Sequence, residues 1–138
     1  MERSPQPVDE ELLEAYRRTS YVAALPQGEV RIRIGEPQPA LAGTAAFLTA
    51  ENPGSEKLSP EVNGLRTLEL ARVLRSYGWN AFPARAIPDQ PGWEVENGFL
   101  ILDVPLHEVL DLGRAYGQNA IVFVGAAQPS RLVLCFPG

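Results

Sequence analysis

Residues 44–66 read TAAFLTAENPGSEKLSPEVNGLR, and this stretch decides the fold. Residues 44–50 show little alternation, Ala45, Ala46, Phe47 and Leu48 all being apolar, which predicts a strand covered on both faces at the centre of a sheet. Asn52-Pro53-Gly54-Ser55 carries a type II turn signature: proline presets φ and glycine supplies φ > 0. Ser59-Pro60-Glu61 then opens a helix, with a serine cap, proline at the first helical position and an acid near the positive pole. The helix runs to Tyr77 and stops at Gly78. At about 100° per residue, Val62, Leu70, Val73, Leu74 and Tyr77 share its apolar face. Asn63 and Arg66 fall within that face, so both must be partly buried and must find partners.

Downstream, residues 79–86 predict a strand and residues 87–92 a loop. Residues 93–104 predict another strand, with Trp93, Glu94 and Glu96 near its start and an apolar half at 99–102. Gly98 inside it implies a bulge or the close approach of another group. Residues 105–116 form a second core helix, ended by Gly117. Gln118 and Asn119 precede a strand at 120–124, and residues 132–136 form the last strand.

Upstream, residues 1–7 hold two prolines and no periodicity, and predict a flexible tail. A helix follows, with Asp9 as cap, Leu12, Leu13 and Tyr16 on its apolar side and Arg17 and Arg18 in its last turn. Tyr21-Val22-Ala23 can already be extended. Residues 29–35 alternate cleanly: Val30, Ile32 and Ile34 face one way, Arg31 and Arg33 the other, as on an edge strand whose arginine face is in water.

From residue 44 to 124 the order is strand, helix, strand, strand, helix, strand. That predicts an α+β fold with a ferredoxin-like split βαβ core, a two-layer arrangement of sheet and helices. An extra N-terminal helix and additional N- and C-terminal strands complete one domain over residues 8–138. A chain of 138 residues suits one domain.

Composition narrows the function. The net charge of −5 argues against general nucleic-acid binding, which rests on phosphate neutralisation. Lys57 is the only lysine among twelve basic residues, a bias that suits a high-GC and thermophilic bacterial genome. The single cysteine, Cys135, excludes an internal disulfide and a multi-cysteine metal site. The expectation is a cytoplasmic chain: no signal-peptide pattern follows the start, and no apolar run approaches the roughly 18 residues of a membrane span. His107, the only histidine, sits at i,i+4 from Asp111 opposite the apolar stripe, where a solvated pair is expected. No motif names a cofactor, and Glu51, Glu94 and Glu96 have no metal-binding spacing.

The split βαβ order brings the unusual polar residues to one rim of the sheet. The end of the strand at 44–50 supplies Thr49 and Asn52, and the start of the long helix Asn63 and Arg66. Trp93 and Glu96 open one strand, and Gln118 and Asn119 precede another. Three readings stay open. Arg66 and the helix N-terminus can hold a small anionic ligand with the surrounding amides. Glu96 can act as general acid or base in a hydrolase or transferase. Or the cluster is a packing network, Arg66 paired with Glu96, in a structural or protein-interaction module. A homodimer is compatible with such a sheet.

The run Ala46-Phe-Leu-Thr-Ala-Glu-Asn-Pro53, then Asn63 and Arg66, Trp93-Glu-Val-Glu96 leading into Phe99-Leu100, and Tyr116-Gly-Gln-Asn-Ala-Ile-Val122, resembles the bacterial domain-of-unknown-function family number 3293. The resemblance implies that Thr49, Asn52, Pro53, Asn63, Glu96, Gln118 and Asn119 belong to the family's pattern. This chain departs from it at Glu51, where an aromatic is usual, and at Gly98, where a small hydroxyl residue is usual. The family carries no activity to transfer.

Overall fold

The computed structural model describes residues 9–136; the tail expected at 1–7 lies outside them. The fold is α+β. In chain order the elements are α1 (Glu10–Arg17), β1 (Thr19–Leu25), β2 (Gly28–Ile32), β3 (Ala45–Thr49), α2 (Pro60–Ser76), β4 (Asn80–Pro88), β5 (Glu96–Leu102), α3 (Leu106–Ala115), β6 (Ala120–Val124) and β7 (Ser130–Leu134). All seven strands form one sheet in the order β2-β1-β4-β5-β3-β6-β7, antiparallel throughout. Among the described residues no helix is long and apolar enough to cross a membrane.

The opening stretch forms as its residues dictate. β3 is buried along its whole length, between β5 and β6. The proline-glycine turn closes with the Ser55 N–H donating to the Asn52 carbonyl at 2.9 Å, and Gly54 sits at φ 65°. Ser59 caps α2 by accepting from the Val62 N–H at 3.2 Å, and Asp9 caps α1 by accepting from Leu12 at 2.9 Å.

The face of α2 is rotated from the one its periodicity gives. Asn63, Leu70 and Leu74 are buried, whereas Val62 and Tyr77 are exposed at 45% and 57%. Reciprocal hydrogen bonds between Asn63 and Asn52 turn the first helical turn inward by that residue. Tyr77 leaves the stripe to lie against Trp79, ring centroids 4.9 Å apart.

Alternation along the strands divides the apolar residues between two cores. Ala46, Leu48, Ile101, Ile121 and Phe123 meet Leu70, Leu74, Val109 and Leu112 of α2 and α3. The other face gathers Tyr21, Val30, Ile32, Phe47, Ala84, Ala86, Leu100 and Val122. Neither α2 nor α3 covers that second core, and α1 lies over one end of it. The core is buried because the sheet curls into a half-barrel, which the expected two-layer arrangement did not include. The curl brings the two edges together: Gly35 N–H donates to the Ser130 carbonyl at 2.8 Å, and Ser130 Oγ to the Arg33 carbonyl at 2.5 Å. β1, only hinted at by Tyr21-Val22-Ala23, pairs with both β2 and β4 and extends the sheet far enough to curl.

Candidate functional site

The end of β3 begins a dense set of hydrogen bonds. Thr49 Oγ1 donates to the Asn97 carbonyl at 2.6 Å and accepts from the Glu51 N–H at 3.0 Å. Glu51 is buried, its carboxylate accepting from the Asn97 N–H at 2.9 Å and from Thr67 Oγ1 at 3.2 Å. Asn52 adopts a left-handed backbone, φ 48°, a conformation asparagine tolerates better than most residues. Its backbone N–H donates to Asn63 Oδ1 at 3.0 Å, and its own Oδ1 accepts from Asn63 Nδ2 at 2.8 Å and from the Leu58 N–H at 2.9 Å. Its Nδ2 donates to Glu96 Oε2 at 2.8 Å.

Arg66 is turned away from Glu96. Its Nε donates to the Ala50 carbonyl at 2.5 Å and its Nη2 to the Tyr116 carbonyl at 2.7 Å, with the guanidinium over the Tyr116 ring. Gln118 Nε2 donates to the Glu51 carbonyl at 3.1 Å, and Asn119 Nδ2 to Ser55 Oγ at 2.8 Å. These residues tie α2, α3 and the turn after β3 to one another through backbone atoms.

On the concave face lies a cavity of about 300 Å³. It sits at the starts of β1, β5 and β6 and the ends of β3 and β4, beneath α1. Period-two alternation puts Tyr21, Phe47, Thr49, Ala86, Glu96, Ala120 and Val122 into its lining. α1 adds Leu12, Ala15 and Tyr16; the turn and loops add Asn52, Ser55, Lys57, Trp93, Glu94 and Gln118. Lys57 and Glu94 form an exposed ion pair at 2.7 Å.

Glu96 is the distinctive group of this lining. Burial pushes its carboxyl up to about 7; the hydrogen bond from Asn52 opposes the shift, and the charge of Glu51 adds to it. Among the described residues its one hydrogen-bond partner is Asn52, and no cation pairs with it. Burial, and then the Glu96 charge, also raise the hydroxyl of Tyr16; Tyr21 is raised by burial and by the charges of Tyr16 and Glu96. Gly98, one step behind on the same face, is the close approach its sequence implies. A Cβ there would lie 2.5 Å from the Leu48 carbonyl.

Of the residues to which the sequence points, Thr49, Asn52, Trp93, Glu96 and Gln118 line the cavity. Asn63, Arg66 and Asn119 stand behind it, holding its wall. Tyr16, Tyr21, Phe47, Ser55 and Lys57 also line it and were not among those residues. Tyr16 was legible as inward-facing on α1, but its sequence signal is that of a core aromatic. Ser55 was visible only as part of a turn.

The remaining candidates lie elsewhere. Cys135 is fully buried, and burial pushes its thiol up to about 11. His107 is exposed, and Asp111 pairs with Arg114 at 3.1 Å in place of the expected histidine. Among the described residues no three His, Cys, Asp or Glu side chains gather as a metal site.

The family model described as "Protein of unknown function (DUF3293)" matches residues 48–121. That span runs from the end of β3 to the start of β6 and includes Thr49, Asn52, Asn63, Arg66, Glu96 and Gln118, but neither α1 nor β1. No curated protein and no solved structure matches the chain.

Proposed function

The chain belongs to this family of unknown function, and from the geometry of the cavity we propose that it binds a small molecule on the concave face of the half-barrel. One observation carries the reading: a half-buried carboxyl, Glu96, faces a cavity of about 300 Å³ and has, among the described residues, a single hydrogen bond and no cation. A concave space where apolar and aromatic walls meet a few convergent polar groups is the usual form of a ligand site. The guanidinium that suggested an anion donates to backbone carbonyls outside this space, and the charged group within it that lacks an ion-pair partner among the described residues is an acid, Glu96.

A thermal-shift screen of small fragments tests the reading. A ligand at a hundred times its dissociation constant adds about 2.7 kcal/mol to stability. A hit at this site loses its shift in Glu96→Gln or Trp93→Ala. If every hit keeps its full shift in both variants, ligands sit elsewhere and the reading fails.

A second reading rests on the Glu96 carboxyl being raised to about 7, where it can give and take a proton near neutrality, as a general acid or base in a hydrolase or transferase must. It expects Glu96→Gln to fold normally and to lose turnover by about two orders of magnitude or more. A turnover unchanged by that substitution rejects it. For the fold, we propose the finer description of a ferredoxin-like split βαβ core. The antiparallel order β4-β5-β3-β6, with α2 and α3 as its crossovers, supports it.

A further inference from the structure

We propose that the ligand is a small organic cation: a protonated amine on an apolar or aromatic body, its nitrogen at Glu96 and its body against Trp93, Tyr16, Tyr21 and Phe47. This rests on the cavity being a binding site and adds the class of molecule it takes.

Charge is the first argument. Among the described residues, three charged side chains line the cavity: Lys57, Glu94 and Glu96. Lys57 and Glu94 neutralise one another at 2.7 Å on the exposed rim, which leaves Glu96 as the unbalanced charge. Glu51 stands behind it and adds negative field. An anion entering here would meet the like charge of Glu96, backed by that of Glu51, and no unpaired cation among the described residues of the lining; an ammonium would meet the opposite charge in a desolvated setting, where attraction is least screened.

Geometry is the second. Asn52 Nδ2 occupies Oε2 of Glu96 at 2.8 Å, and the Asn52 amide is itself held by Leu58 and Asn63. The carboxyl is therefore oriented, while its Oε1 has no hydrogen-bond partner among the described residues. An N–H donor from a ligand completes it as a charge-assisted bond.

The walls are the third. Tyr21 and Phe47 lie with ring centroids 4.9 Å apart and tilted by 54°, and Tyr16 and Trp93 line the same space. Aromatic faces attract ammonium groups and pack apolar bodies equally well. The groups around the carboxyl are thus Tyr16 of α1, Tyr21 of β1, Glu51 and Asn52 after β3, and the Lys57–Glu94 pair at the mouth. Among these the only cation is the already paired lysine.

Three probes of nearly one shape decide the matter: phenethylamine, phenethyl alcohol and hydrocinnamate, which are cationic, neutral and anionic. Each is titrated calorimetrically into the full wild-type chain at about pH 8, and then into Glu96→Gln. The amine is expected to bind at least about tenfold more tightly than the alcohol, with the anion weakest. Glu96→Gln brings amine and alcohol to within about twofold of each other. If the alcohol or the anion matches the amine in the wild-type chain, or if the amine preference survives in Glu96→Gln, the cation inference is overturned and cavity binding stands. If none of the three binds, both are overturned. The order of the three affinities in the wild-type chain is decisive even if Glu96→Gln fails to fold.

Discussion

Two polar groupings lie back to back at one end of the sheet, and they differ in how far they are satisfied. Behind the strands, Glu51, Asn52, Asn63, Arg66 and Gln118 form a closed set whose hydrogen bonds go largely to backbone atoms and to each other. In front, on the concave face, Glu96 faces a cavity and has, among the described residues, one hydrogen bond and no counter-charge. Asn52 belongs to both sides, its Oδ1 facing the network and its Nδ2 facing Glu96. The contrast shows that burial alone does not mark a site. Buried polar groups with complete partners specify packing, and a desolvated group left incomplete is where a ligand has something to supply. Each side should answer substitution differently, and that difference can be measured.

The largest effect is expected from Asn63→Ala. Asn63 gives and takes a hydrogen bond with Asn52 at 2.8 and 3.0 Å, so truncation leaves the Asn52 N–H unpaired and takes from Asn52 Oδ1 one of its two donors, the Leu58 N–H remaining. At about 1–3 kcal/mol for the unpaired N–H and about 1 kcal/mol for the lost bond to Oδ1, the loss should be about 3 kcal/mol in urea denaturation. A loss below about 1 kcal/mol would mean the network is not closed, and the contrast with Glu96 would collapse.

Arg66→Ala comes next. It removes two charge-assisted bonds to the Ala50 and Tyr116 carbonyls and a contact over the Tyr116 ring. About 2 kcal/mol of destabilisation is expected, because water can reach the half-buried site in part. Arg66→Lys should recover less than half of it, since an ammonium cannot span both carbonyls as the planar fork does. If Arg66→Ala leaves stability unchanged while abolishing binding of an anion, Arg66 belongs to a ligand site and the division drawn between the two groupings is misplaced.

Glu96→Gln should act in the opposite direction. The folded chain holds the Glu96 proton up to about pH 7, whereas the ordinary value is 4.5. Between those values the folded state binds more protons than the unfolded one, so stability falls as pH rises. The favourable contribution is complete below about pH 4.5 and is lost through about pH 7. At about pH 8 the amide variant should be the more stable by about 2 kcal/mol, after allowance for partial solvent access, with the advantage vanishing near pH 4. Parallel pH–stability curves for the two chains would show that Glu96 is not desolvated as described.

How much of this could be read in the sequence depended on the range of the cause. β3, the Pro53-Gly54 turn and the Ser59 cap follow from adjacent residues, and all three formed as expected. The burial of Asn63 and Arg66 was legible from their place on the apolar face of α2. Their partners were not. The Ala50 and Tyr116 carbonyls are backbone atoms, identical in every residue, and no side chain announces them. The curl of the sheet was hidden for a different reason. It depends on β1 pairing with β4, which joins Thr19 to Pro88 and Ala23 to Ala84 across about half the domain. Small residues such as Ala84 and Ala86 fill the concave core, and their apolar signal is weak beside that of leucine. Without the curl, Tyr16 and Tyr21 read as ordinary core aromatics, and the cavity between them has no signature.

The smallest effect should come from Lys57→Ala, and it sharpens the contrast from the outside. Lys57 and Glu94 are 71% and 65% exposed, so their pair at 2.7 Å is well solvated. Its loss should change stability by no more than about 0.5 kcal/mol. The same substitution leaves Glu94 without its partner at the mouth of the cavity and makes the lining more negative by one charge. Phenethylamine should then bind about two- to threefold more tightly at low ionic strength, and the gain should disappear in salt as the exposed charge is screened. A drop in amine affinity would instead place Lys57 in contact with the ligand through its alkyl stem, and the mouth of the cavity would belong to the site as packing surface and not as field.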